Sequence, residues 1–578
     1  MSFDVVASSR VEKVDASPWK HAITTGAQFG LAAMFLALVG IVNMFQQRWI
    51  IVGVLTLGYA TLGLLFVLIG IIVARRGLFH SVGGKLAGAT LGGAIAGTML
   101  AILPLAMGMA NLRTVFVSLE PALRKMLTFG LQGGFVGEFA LINFAAVLAI
   151  IGAILQLLPD AVRRPLLGGI VGAILAGLFQ ELIRILLANS FVTKPIHDLL
   201  YTYTGLTLRG ALIVGVVTAV AIGLLDYNRE RLQPFLNPAD EGKRRTVRWV
   251  WLIGGLVLVA LFPLYGGNFI GQVLMMVGLF VLMGMGLNLE VGLAGLLDLG
   301  FVAFFAVGAY TTALLTADDA AALGHLSWWA AMPISVLAAI IVGVLFGVPV
   351  LKVRGDYLAV ATMGLGEIVR VIVLSDAAAP LFNGAKGILQ IPRPMLFGQA
   401  LNSQVAMFYV TLVASLLAAY VAWRLENSRL GRAWTAIRDD EDVAQALGIN
   451  LINVKLLAYG LGAAFAGLAG SIFAAMLGSI YPHSFQLIIS INVLALIIVG
   501  GIGSLGGVVL GSAVLIGLPE LLREFGEFRY LFYGLAIVAV TRLKPEGLWP
   551  SNAKKREMRL DQEAIEVQQR APMAEKVA

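Results

Sequence analysis

At 578 residues, 59% hydrophobic and 13% charged, with a mean hydropathy of +0.90, the chain excludes a water-soluble domain and requires a polytopic membrane protein. The net charge of +8 and a pI near 9.6 do not point to nucleic acid, because the basic residues sit in loops beside apolar runs, where they act as topology anchors. No cysteine is present, which excludes disulfides and thiolate metal sites, and the 67 glycines suit close helix packing in lipid.

The expected fold is all-α, a bundle of membrane helices. Met1 to Lys20 is polar and mixed in charge, and the apolar run that follows is too long for a signal-peptide core, so a cytoplasmic N-terminus is expected. Six runs of membrane-spanning character lie near 22–45, 50–74, 86–109, 136–158, 166–187 and 211–225, and define a membrane region over residues 1–225. Between the third and fourth, the segment from Asn111 carries Arg113, Arg124 and Lys125 and predicts a short interfacial helix.

Residues 226–248 break the pattern. Two prolines and six bases among few apolar residues mark a cytoplasmic linker and a domain boundary. Up to ten more runs follow within 249–550, near 249–264, 269–289, 293–315, 328–351, 357–374, 405–423, 454–476, 487–501, 506–522 and 530–542. The pair flanking Gly501 is short enough for a re-entrant hairpin. Six runs separate the linker from a polar segment at Arg429, and four separate that segment from Lys554, Lys555 and Arg556. Both intervals are even, so all three basic segments fall on one face, as the excess of bases on the inside demands. The tail, 551–578, is charged and reads as a cytoplasmic helix or as disorder.

The polar segment 429–454 is the one long interruption in the apolar second half. Asp439, Asp440, Glu441 and Asp442 supply the negative charge favoured at a helix N-terminus. Val443, Ala444, Ala446 and Leu447 offer a small, mostly apolar surface, and Gly448 suits a helix C-terminus. Such a helix serves as a handle for another protein or as a solvated connector.

Little in the chain carries chemistry. Gly501, Gly503 and Gly506 match a dinucleotide fingerprint, but no βαβ unit surrounds them, so a tight turn between packed helices is expected. No phosphate-binding loop of the form G-x-x-x-x-G-K-[ST] occurs, so an ATP-driven process needs a separate ATPase polypeptide. His21, His80, His197, His325 and His483 have no metal-ligand spacing, and no catalytic site or cofactor is expected. Among ionisable residues in apolar runs, Glu367 with Arg370, Glu181 with Arg184 and Glu520 with Arg523 are spaced to neutralise each other on one helical face. Asp298 has no base within a turn and needs a partner from elsewhere, so it is a candidate for a cavity or gate, with Asn288 and Glu290 just before it.

Several stretches look familiar together. NLEVGLAGLLDLGFVAFFAVGAYTTALL from Asn288, LKVRGDYLAVATMGLGEIVRVIV from Leu351, NGAKGI from Asn383, IVGGIGSLGGVVLGSAVLIGLPELLREF from Ile498 and RLKPEGLWP from Arg542 resemble the permease of bacterial branched-chain amino-acid ABC importers. The resemblance covers the second half only, and the first half does not resemble a partner permease. It implies a membrane-spanning, non-catalytic subunit in the inner membrane, with both termini cytoplasmic, carrying branched-chain or related amino acids. It also implies a second, homologous permease, two cytoplasmic ATPases and an extracytoplasmic solute-binding protein as partners.

Residue by residue, the resemblance makes 429–454 a coupling loop in which Arg432, Asp442, Ala444, Ala446 and Gly448 meet the ATPase. Asn288, Glu290, Asp298, Glu367 and Arg370 become candidates for the translocation pathway or its gate. The loop with Asn383 and Lys386 faces the binding protein, although Lys386 stands where the family more often has Asn or another polar residue. Two alternatives stay open at this stage: a permease for urea or short amides, and an ion-coupled secondary transporter with Asp298 or Glu367 as the ion carrier.

Overall fold

Apolar chain in lipid can satisfy its backbone N–H and C=O groups only within helices or closed barrels. The computed structural model of the protein accordingly places a helix in each of the expected runs. It describes residues 17–75, 79, 81–111, 113, 115–131, 135–188, 193–228, 241–318, 323–351, 353, 355–551, 554–558 and 560. Most of the expected linker (229–240) and tail (561–578) lies outside the described residues. Among the described residues, 12 helices are long and apolar enough to cross a membrane. The chain divides into two compact units, Met1–Ile253 and Gly254–Ala578.

In the first unit, α1 (Pro18–Leu38), α2 (Leu57–Arg75), α3 (Val82–Met109) and α4 (Val136–Leu157) pack as a bundle with small residues at the crossings. At one crossing, a Cβ on Gly152 would overlap the Val67 carbonyl, so only glycine lets α2 and α4 approach this closely. The expected interfacial helix is present as Pro121–Leu127. α5 (Asp160–Leu178) and α6 (Leu208–Tyr227) form a second pair, and Glu181 and Arg184 are ion-paired on the short helix that follows α5.

Strands are a departure from the all-α expectation. β1 (Trp49–Ile51), β2 (Leu55–Thr56), β3 (Tyr201–Thr202) and β4 (Gly205–Leu206) make a small sheet in the order β2-β1-β4-β3, with β1 and β4 parallel. Apolar composition cannot separate so short a strand from the start of a helix, and residue 50 was expected to open one.

The second unit begins its membrane passage within α7 (Glu241–Leu287), which is broken at Gly267 (φ 66°). Its end continues as a π-helix, Asn288–Leu293, after which residues 294–301 are not helical. The expected run 293–315 is therefore corrected: α8 is Val302–Thr316, and Asp298 sits on an unwound stretch rather than on a helix. α9 (Trp328–Val350), α10 (Asp356–Leu374) and α11 (Gln404–Glu426) follow. Two polar helices, α12 (Arg429–Asp439) and α13 (Glu441–Ala446), then lead to α14 (Leu451–Leu477).

α14 is buried along most of its length, and α8 and α9 pack on it. Closing the unit, α15 (Leu487–Gly500) and α16 (Leu505–Ser512) are joined by a tight turn in which Gly501 (φ 122°) and Gly503 (φ 75°) adopt backbone conformations closed to other residues. α17 (Arg529–Leu543) returns the chain to that turn, where the Trp549 N–H donates to the Gly500 carbonyl at 2.8 Å.

Candidate functional site

Three side-chain caps shape the polar segment after α11. Ser428 Oγ accepts from the Leu430 and Gly431 N–H groups at the start of α12, Asp440 Oδ1 accepts from Asp442 and Val443 at the start of α13, and Asn450 Oδ1 accepts from Asn453 at the start of α14. The expected acidic N-terminus is thus centred on Asp440. Gly448, at φ 88°, stops α13 as anticipated.

α12 is amphipathic, with Gly431, Trp434 and Ile437 buried three residues apart and Arg432 exposed. Trp434 Nε1 donates to the Val454 carbonyl at 2.8 Å, and Lys455 Nζ lies 2.5 Å from Glu441 Oε1. These two contacts fasten α12 and α13 to the base of α14. On α13 the outward face carries Asp442, Val443, Ala446, Leu447 and Gly448, all exposed. Ala444 is a correction: it is 1% exposed and turned inward, because the side chain one turn after the Asp440 cap falls on the face that Glu441 and Lys455 hold against α14.

Inside the unit lies a polar cluster. Glu290 and Asp298 are 0% and 1% exposed, and their carboxyls lie side by side, next to the hydroxyls of Thr362 on α10 and Tyr459 on α14. Asp298 Oδ1 accepts from the Gly300 N–H at 2.6 Å, and the remaining carboxyl oxygens face one another and the Thr362 and Tyr459 hydroxyls, with no basic group against them among the described residues. Buried carboxyls with no basic partner are costly, and such groups persist where a function needs them. Gly462 makes the space: a Cβ there would overlap Glu290 Oε1. Asn288, also buried, accepts through Oδ1 from the Gly503 N–H at 2.9 Å.

The cluster is tied to the polar segment. Arg438, at the end of α12, donates from Nη1 to the Gly292 carbonyl at 2.7 Å, two residues beyond Glu290. The structure therefore brings Glu290 and Asp298 together, sets Asn288 two residues away against the Gly503 turn, and leaves Glu367 and Arg370 elsewhere, ion-paired on the exposed face of α10 with Tyr357, Val360, Gly364 and Val371. In the sequence Arg438 is only one more base of the polar segment, and hydropathy does not set Lys455, Tyr459 or Gly462 apart. A signal did exist for the last three, since Lys455, Tyr459 and Gly462 share one face of α14 at helical spacing.

At the other end of α11 lies the loop with Asn383 (φ 58°) and the exposed Lys386. Ile388 and Ile480 pair there as an antiparallel bridge, and β5 (Met395–Leu396) and β6 (Gln399–Ala400) form a hairpin whose Phe397 is 98% exposed. A helix of 23 residues separates this loop from the polar segment, about 35 Å of rise and enough to cross a bilayer.

Residues 269–541 match the family described as branched-chain amino acid transport system / permease component. The high-affinity branched-chain amino acid transport system permease protein LivM of Escherichia coli (strain K12) is 37% identical over 340 residues, 55% of this chain and 78% of that protein. The chain belongs to the branched-chain amino acid transport permease family. The family match runs from the last part of α7 through the π-helix and α8 to α16 and into most of α17, so it takes in the polar segment and the buried cluster of this permease. The probable branched-chain amino acid transport permease protein LivM of Methanocaldococcus jannaschii is 23% identical over 49% of the permease and 94% of its own length. The autoinducer 2 import system permease protein LsrC of Escherichia coli O9:H4 is 28% identical over 36% of the permease and 62% of its own length. No solved structure matches. Membership sets aside the ion-coupled secondary transporter. The permease is a multi-pass membrane protein, and α1 to α6 lie outside the matched family region.

Proposed function

We propose that this chain is the membrane-spanning subunit of an ATP-binding-cassette importer for branched-chain or related amino acids, driven from the cytoplasm through α12 and α13. The observation that carries this is the construction of α13: capped by Asp440, stopped by Gly448, fastened inward by Glu441 to Lys455, and left with Val443, Ala446 and Leu447 exposed on an apolar face. An exposed apolar face on a fastened helix suits a partner's groove. The partner is a cytoplasmic ATPase, one of two, and Arg432 and Asp442 form the charged rim of the contact.

The remaining partners follow from the same placement. The Glu367–Arg370 pair would be costly against lipid, so the exposed face of α10 borders the transport route opposite a second, homologous permease. The loop of Asn383 and Lys386, at the far end of α11, receives the extracytoplasmic binding protein. Lys554 of the tail and Arg438 line one cavity of about 690 Å³, in keeping with a tail on the cytoplasmic side with the coupling segment. We assign residues 249–550 as the permease core, 226–248 as its linker, and 1–225 as an added membrane region.

Single-cysteine variants test the docking, because the native chain has no cysteine. Val443→Cys and Leu447→Cys should cross-link to the ATPase in the assembled complex, while a cysteine at Lys386 should not. Full uptake of leucine, isoleucine or valine in cells lacking the ATPase subunits would overturn the reading.

A further inference from the structure

The end of α7 is an unusual place in this fold. Its last turns widen into the π-helix Asn288–Leu293, in which the Ala294 N–H reaches the Leu289 carbonyl and the Leu296 N–H reaches the Glu290 carbonyl. The terminal carbonyls of a helix have no intrahelical donor and carry its partial negative charge. Here the Gly292 carbonyl is met by a cation from a segment 146 residues further along, Arg438 Nη1.

The seat for that guanidinium is built. Gly295, at φ 71°, lies flat against Arg438, and a Cβ there would come within 2.8 Å of Arg438 Cγ. A Cβ on Gly292 would overlap Asn288 Oδ1 and stand 2.7 Å from the Gly503 N–H. Gly503 in turn approaches Arg438, with 3.8 Å between Nη1 and the Cβ position. Three segments distant in sequence therefore meet around one side chain: the π-helix, the turn between α15 and α16, and the last residue but one of α12. Asp439 Oδ1, 3.4 Å from Nη2, holds the other side of the guanidinium.

We propose that Arg438 is the positioning residue that passes movement of the coupling segment to the buried Asn288, Glu290 and Asp298. The idea rests on the docking of α13 described above. When the ATPase pulls on α13, α12 moves with it, because Asp440 alone separates the two helices, and the movement works against the Trp434 and Glu441 ties to α14. Withdrawal of the guanidinium removes the cap from Gly292. A π-helix is a rare, single-turn departure from the α-helix, so the segment that loses this cap has the ordinary α-helical winding within reach as a second arrangement. Asn288 and Glu290 are carried on that segment, and any change of its winding rotates them relative to Gly503 and Asp298. A coupling contact must differ between the two ends of the cycle to do work, and a single charged donor that is either seated or withdrawn meets that condition.

The test uses the complete transporter in proteoliposomes and reads ATP hydrolysed against leucine imported, with cross-linking through Val443→Cys as an independent measure of docking. In Arg438→Gln, docking and ATP hydrolysis should stay within about twofold of the parent while import falls about tenfold or more, a typical size for a lost coupling interaction. Arg438→Lys should fall between, since an ammonium keeps the charge but not the rigid fork. Import by Arg438→Gln at the parental ratio of ATP to substrate overturns the proposal. Should Arg438→Gln fail to accumulate, an unchanged ratio in Arg438→Lys overturns it equally. Absence of the Val443→Cys cross-link in the parental background refutes the docking reading instead, so the two failures are distinguishable.

Discussion

Lys455 and Glu441 meet at 2.5 Å across the foot of α14, the lysine side chain 6% exposed and the glutamate 32%. The pair joins the largely buried α14 to the helix proposed to dock the ATPase, and its two members differ in what their loss would leave behind. Removing Glu441 strands an ammonium among apolar neighbours, whereas removing Lys455 leaves a carboxylate that reaches water.

Glu441→Ala should therefore destabilise the second unit by about 2 kcal/mol, the usual cost of an unpaired, largely buried charge after discount for the solvent that reaches Glu441. Lys455→Met should cost less than about 1 kcal/mol, because an apolar side chain of similar length replaces the buried one. Thermal unfolding in detergent checks both, and equal losses would show that the pair is worth no more than its packing.

Gly462→Ala should cost about 3 kcal/mol or more, since the new Cβ overlaps Glu290 Oε1 in a packed interior. Glu290→Ala removes the side chain that the new methyl meets. The double variant should then be more stable than Gly462→Ala alone, and strictly additive losses in a double-mutant cycle would show that the two residues do not touch.

Asp298→Asn keeps the oxygen that accepts from Gly300 and removes the charge beside Glu290. The variant should fold and assemble like the parent. If the cluster serves the gate, uptake should fall about tenfold, corresponding to about 1.4 kcal/mol, and parental uptake would leave Asp298 with a structural role only. Asp298→Ala should in addition lose about 1–2 kcal/mol of stability through the unmade bond to Gly300.

Val443→Asp combined with Leu447→Asp places two charges on the exposed face of α13 without touching its cap or its tie to Lys455. Stability should stay within about 0.5 kcal/mol of the parent, as for surface changes away from special features. Co-purification with the ATPase should be lost, and intact co-purification would move the docking surface elsewhere.

Much of this permease was legible in its sequence, and the parts that were share one physical basis. Apolar runs of membrane length satisfy their backbone groups most simply as helices, so the helices of both units follow from hydropathy, apart from the strands near residue 50 and the unwound chain around Asp298. Asp440 before α13 and Gly448 after it are local signals, each acting within one turn of its own backbone, and they bound α13. Spacing of three residues was likewise enough to pair Glu367 with Arg370 and Glu181 with Arg184.

What the sequence by itself determined is therefore the membrane class, the order of helices, the polar segment and the self-paired charges, all set by interactions between near neighbours in the chain. Only the tertiary structure decided that Asp298 lies on unwound chain beside Glu290, that Ala444 turns inward, and that Arg438 reaches Gly292 across 146 residues. Such contacts depend on how closely helices approach, which Gly462, Gly295 and Gly503 permit, and the closeness of two helices is a property of the packed whole that no local pattern encodes.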